Sequence, residues 1–170
     1  MYYSSEYESP IGRLLVVCDA DSLVGLWMEG QRYYCASLHD AVVVSGETSV
    51  TKQVFAWLDS YFEGRKPVPS IPMSPIGTDF QRDVWRMLQD IPYGTVTSYG
   101  TMAHRLSEKT GRCVSARAVG GAVGRNPIAI IVPCHRVLGA NGSLTGYAGG
   151  LEKKKALLAL EGITFSFSNR

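Results

Sequence analysis

The chain has 170 residues, 45% of them apolar, and a net charge of +2, enough for one or two compact domains around a sizeable core. No apolar run approaches the ~18 residues of a membrane span and no basic, apolar leader opens the chain, which excludes a membrane-spanning class and predicts a cytoplasmic protein. Cys18, Cys35, Cys113 and Cys134 show no framework spacing, so reduced thiols are expected.

Charge is unevenly spread. Residues 1–77 carry five Lys/Arg against nine Asp/Glu, a net −4, and residues 78–170 carry twelve against six, a net +6. The basic half can attract a polyanion while the acidic half faces away from it, although such asymmetry also occurs in proteins that never meet nucleic acid.

In chain order, residues 2–7, 14–18 and 23–28 read as short strands, broken by Ser9-Pro10 and Asp19-Ala20-Asp21. Residues 51–62 place Val54, Leu58, Tyr61 and Phe62 at helical spacing, with Gly64 as the stop. The predicted class is α/β in the α+β sense, with a small sheet-plus-helix domain over 1–77. Residues 64–77 hold four of the eight prolines and read as its extended linker. A mainly helical domain over 78–170 opens on Thr78-Asp79-Phe80-Gln81, which has capping-box spacing. Short helices over about 99–106 and 115–124 are expected to form a helix-turn-helix, winged-helix-like, with a long connection over 107–114. Ala116, Ala118, Gly120, Gly121, Ala122 and Gly124 make the second of these helices smooth. That suits either a groove or tight packing on another helix.

Asn126-Pro127 marks a turn, and residues 128–132 form an apolar run that suits a buried strand. Pro133-Cys134-His135-Arg136-Val137 follows. A cysteine beside a histidine can be activated for attack if nearby positive charge and backbone dipoles favour the thiolate, but a buried core cysteine has the same local pattern. Neighbours on an extended strand point apart, so a productive pair needs a bend here. On the last helix, about 151–161 with Gly162 as stop, Glu161 shares the side of Leu157 and Leu158. It is either solvated at a fraying end or buried against a partner such as His135.

The blocks TDFQRDVW (78–85), IPYGTVTSYG (91–100), ARAVGGAVGRNPIAIIVPCHRV (116–137), GSLTGYAGG (142–150) and LEG (160–162) resemble the O6-alkylguanine-DNA alkyltransferase family. Residues 1–77 match that family only in length and outline. The resemblance implies a single-turnover repair protein that moves an alkyl group from O6-alkylguanine in DNA to Cys134, leaving the protein inactive; O4-alkylthymine is left open as a second substrate. It implies that His135 takes the thiol proton through a water, Glu161 orients the imidazole, Asn126 holds the turn and Tyr99 donates to the departing guanine. Pro133, Val137, Tyr147, Ala148 and Gly149 would surround the base. Thr97, Ser98, Tyr99, Ser115, Ala116, Ala118 and Gly120 would face the minor groove of double-stranded DNA, with Arg117 filling the gap left by the flipped nucleotide. A monomer is expected, with cooperativity on DNA left open. No cofactor or metal is expected: Cys18, Cys35 and His39 have no evident fourth ligand. Two alternatives predict different behaviour: a DNA-binding or damage-sensing module without transfer activity, whose relatives lack the acceptor cysteine that this chain has at Cys134, and a cysteine hydrolase using Cys134, His135 and Glu161 that turns over small thioesters or peptides without DNA.

Overall fold

The structure, a computed structural model, describes residues 1–164. Its first half is a sheet of β1 (Tyr2–Ser9), β2 (Gly12–Cys18), β3 (Leu23–Met28) and β4 (Val43–Ser45), in the order β3-β2-β1-β4. The first three strands are the ones expected. β4, three exposed residues parallel to β1, carries too little pattern to be read from sequence.

Helix α1 (Ser49–Phe62) starts two residues earlier than its apolar spacing predicts. Thr48 and Thr51 form a reciprocal cap there, a hydroxyl version of the capping box. Its buried Val54, Leu58 and Tyr61 lie in the same apolar core as Leu14, Val16 and Leu26 of the sheet. That core continues through Val84, Leu88, Met102, Val123 and Leu157, so the two halves share one interior.

Every residue of β3 is buried although it ends the sheet. Its free edge is occupied at two places. Leu23 bonds to two residues of the 64–77 segment, donating from its N to Pro72 O (2.8 Å) and accepting at its O from Ser74 N (2.9 Å). Leu26 does the same with the turn ahead of Cys134 (Leu26 N to Pro127 O, 2.8 Å; Ala129 N to Leu26 O, 2.9 Å). The strand's edge amides are satisfied by the helical half and its approach, which leaves no row open for another chain.

The helical half comprises α2 (Asp79–Gln89), β5 (Thr97–Ser98), α3 (Tyr99–Thr110), α4 (Ala116–Gly124), β6 (Val137–Leu138) and α5 (Leu151–Leu160). The capping box at Thr78 and Gln81 forms as its spacing predicts. Helix α3 runs a full turn past Leu106, so the helix-turn-helix connection is shorter than expected. Ser107 and Thr110 return hydrogen bonds to the carbonyls of Ala103 and Leu106, and Gly111 ends the helix with φ +68°. Ser107 also accepts from Val114 N at 2.9 Å, which pins the short link to α4.

Candidate functional site

The apolar run 128–132 is not a strand. Asn126 overrides its β character: the side-chain amide donates to Ile128 O and Val132 O (3.2 and 2.9 Å) and its oxygen accepts from Ile128 N (3.0 Å). The backbone closes on itself through Val132 N to Ile128 O, with Ile130 at φ +71°. The segment is a knot of turns held by one buried side chain. Pro133 then leads into a 3-10 turn, Cys134–Arg136. Successive residues in such a turn point about 120° apart, which supplies the bend that a Cys-His pair needs.

His135 is completely buried, and its Nε2 lies 2.5 Å from Glu161 Oε2. Glu161, one residue past α5, is far from a solvated helix end. Its oxygens also accept from Arg136 Nε (2.7 Å) and Nη2 (3.2 Å), Gly94 N (3.0 Å) and the Tyr61 hydroxyl (2.7 Å). Burial alone would raise the Glu161 carboxyl; hydrogen bonds from His135, Arg136 and Gly94, and the charge His135 carries when it is protonated in acid, outweigh it and hold the group down at about 2. Burial pushes His135 below its ordinary range despite the carboxylate beside it. A carboxylate can only accept, so Nε2 carries the proton and Nδ1 is left as the basic lone pair. Nδ1 is buried without a hydrogen bond to any described residue.

Because Glu161 is depressed in the folded state, its contribution to stability is present above the ordinary glutamate range and is lost as pH falls from there toward about 2. Urea unfolding of the wild-type protein should therefore weaken steeply through that window, and Glu161→Gln should flatten the slope. An unchanged slope would mean the carboxylate is not held ionised.

Cys134, 7% exposed, opens onto a cavity of about 400 Å³. Tyr99, Gly120, Asn126, Tyr147, Ala148 and Gly149 also line it, and it falls in the size range of small-molecule sites. Burial pushes the thiol up, while Asn126, Lys154 and Tyr147 pull it back less strongly. Burial thus favours the neutral thiol, and a base is needed to ionise it. Pro133 and Val137, expected at the base, are buried but do not line the cavity. Val137 instead pairs with Thr97 in the β5–β6 ladder. The loop carrying Tyr147 is held against the sheet half: Arg32 N donates to Ala148 O (2.9 Å), and a side chain at Gly149 would strike Met28 Sδ at 2.5 Å.

Three participants escaped the sequence reading. Lys154, fully buried, gives its ammonium to the carbonyls of Val137 (2.6 Å), Thr145 (3.2 Å) and Gly146 (3.3 Å), and desolvation pushes it down to about 8. Its place three and four residues before Leu157 and Leu158, on their face, is a signal that could have exposed it. Arg136 and Tyr61 are the others; Tyr61 looked like one more apolar position of α1.

A second face adjoins the cavity. Ser115 to Ala118 are exposed at the start of α4, Ser98 and Ser115 accept from Thr101 N and Ala118 N as helix caps, and Arg117 stands clear of the core. A shallow depression of about 540 Å³ is lined by Ser98, Tyr99, Ala116, Arg117 and Gly120. Within the molecule, a side chain at Gly121 or Gly124 would meet nothing within 4 Å. Helix packing inside this chain does not explain those glycines.

Comparison with known proteins agrees with this geometry. Residues 1–75 match the ribonuclease-like domain of 6-O-methylguanine DNA methyltransferase, and residues 79–163 match its DNA-binding domain. A methylated-DNA–protein-cysteine methyltransferase of Haemophilus influenzae is 40% identical over 96% of this chain and 88% of its own length. One from Methanosarcina acetivorans is 44% identical over 95% and 99%. The crystal structure of a Mycobacterium tuberculosis O6-methylguanine methyltransferase superposes with a TM-score of 0.80 at 41% identity, covering 95% of this chain and 93% of that one. A complex of a Mycobacterium tuberculosis relative with DNA gives 0.79 at 40% identity over 94% and 91%. Matched in both halves by that family's sequence models, and over nearly its full length by these relatives, the chain belongs to the 6-O-methylguanine DNA methyltransferase family.

Proposed function

We propose that the protein repairs DNA by moving the alkyl group of O6-alkylguanine to Sγ of Cys134, once per molecule. The observation that carries this reading is a thiol on a base-sized cavity, next in sequence to a neutral imidazole whose proton is fixed on Nε2 by a buried carboxylate.

His135 takes the thiol proton at Nδ1 through a bridging water. The thiolate attacks the alkyl carbon; the S–C bond forms as the C–O6 bond breaks, and guanine leaves with the electron pair and regains a proton. The ammonium of Lys154 lowers the cost of the thiolate. Tyr99, on the cavity wall, donates to the leaving ring, and Asn126 keeps the 128–132 turn, and with it Cys134, in place. Ala148 presents its backbone toward O6, and Tyr147 with Gly149 closes the pocket. A thioether does not hydrolyse in water, so the protein stays alkylated and no cofactor takes part.

The partner is double-stranded DNA, entered by α4 from the minor groove, where the open surface at Gly121 and Gly124 allows close backbone approach. The protein acts as a monomer in the cytoplasm. The division is residues 1–77, which brace the pocket, and residues 78–170, which bind DNA and carry the acceptor. Mass mapping after incubation with O6-methylguanine DNA tests the reading: one methyl on the Cys134 peptide is expected, and repeated turnover would contradict it.

Arg117 is assigned to the gap left by the extruded nucleotide. Extrusion costs a few kcal/mol, and ~1.4 kcal/mol is tenfold in rate, so Arg117→Ala should slow repair of duplex DNA roughly 10- to 100-fold. Reaction with free O6-benzylguanine, which needs no extrusion, should be unchanged. Equal losses on both substrates would remove the role.

A further inference from the structure

We propose that Tyr61 is a positioning residue of alkyl transfer, acting from the sheet half through Glu161 on the imidazole of His135. This rests on the reading of His135 as the base and adds that α1 tunes it.

Tyr61 is fully buried, and its hydroxyl donates to Glu161 Oε2 at 2.7 Å across a hundred residues of sequence. The same oxygen accepts from His135 Nε2 and Arg136 Nη2, and the hydroxyl itself stands 3.5 Å from His135 Nε2. The ring has little freedom to swing away. Trp57 stacks on it (centroids 5.2 Å apart, 10° between planes), and Phe62 and Tyr93 meet it edge-on at 5.3 and 6.1 Å. A buried tyrosine held this firmly against a carboxylate is costly as mere filling, since phenylalanine would fill the same space without a polar atom to satisfy.

The consequence follows from sharing. One carboxylate oxygen serves three donors, so the phenol competes with the imidazole for its charge. The charged groups that reach His135 are Glu161, Arg136 and Lys154, with the Tyr61 and Tyr93 hydroxyls packed beside the carboxylate and Cys134 adjoining in sequence. Removing the Tyr61 hydroxyl leaves more of the carboxylate charge to His135, which makes the imidazolium easier to form. It also frees the carboxylate to turn, and the ring with it.

Single-turnover alkylation by free O6-benzylguanine, followed from acid to neutral pH, separates these effects from folding. Tyr61→Phe should lower the plateau rate by about tenfold, a fraction of what a positioned base supplies, and move the acid limb to higher pH. Site-specific 3,5-difluorotyrosine at position 61, a stronger donor of the same shape, should move the limb to lower pH; it also serves if Tyr61→Phe does not fold. A Tyr61→Phe limb that does not move, whatever its stability, overturns the proposal. If His135→Gln itself keeps the wild-type rate and pH profile, the base reading fails instead; a slow His135→Gln beside an unmoved Tyr61→Phe limb sinks the Tyr61 assignment alone.

Discussion

Cys134→Ala will abolish alkyl transfer to the protein, from duplex DNA and from free O6-benzylguanine alike. No other sulfur can stand in. Cys18 is buried in the core beneath the sheet, held by Thr51 and pushed up by burial, and neither Cys35 nor Cys113 lines the cavity. Cys134→Ser should be equally silent, because a hydroxyl lies much further from ionisation than a thiol and the imidazole beside it is already weakened by burial. Both variants should fold and bind alkylated DNA, since the side chain is small and the Asn126 turn needs none of its atoms. Intact-mass measurement after incubation checks this; alkylation at any level comparable with wild type would end the assignment of Cys134.

The largest loss of stability should come from Glu161→Ala. That change strips a buried carboxylate from Arg136, His135, Tyr61 and Gly94 together and leaves the Arg136 guanidinium uncompensated. Breaking a buried pair from one side costs about 3–5 kcal/mol. For a protein of this size each kcal/mol lowers Tm by roughly 2–4 °C, so a fall of about 6–20 °C is expected in thermal unfolding. The companion Arg136→Met should restore part of the loss, because the stranded charge goes with it. A Glu161→Ala protein within about 1 kcal/mol of wild type would show that the buried ion pair contributes little to stability.

Much of this molecule was legible in its sequence, and what escaped did so for identifiable reasons. β3 and the Thr78–Gln81 cap were read correctly because their signals are local: unbroken apolar residues between turns, and two polar residues at a fixed spacing. Residues 128–132 misled because an apolar run reports burial, not conformation; the deciding interactions come from Asn126, whose amide reads as an ordinary turn former. Helix α3 was cut short because the polar stretch after Leu106 looks like a loop, although its hydroxyls bond back into the helix. The pairing of His135 with Glu161 could be posed from helix phase, but Tyr61, Arg136 and Lys154 could not. Each meets its partners only after the chain has folded, between 8 and 100 residues away.

The closed edge of β3 bears on how this protein can change over time. The sheet's last strand is completed partly by the approach to α2 and partly by the turn ahead of Cys134, so the sheet is finished by the segment that carries the proposed acceptor. A change that shifts the β3 backbone at Leu26 is therefore passed to the turn ahead of Cys134, and a sheet borrowed from a distant cousin would have to offer the same two docking points. The acidic half is a template on which the turn ahead of Cys134 is cast.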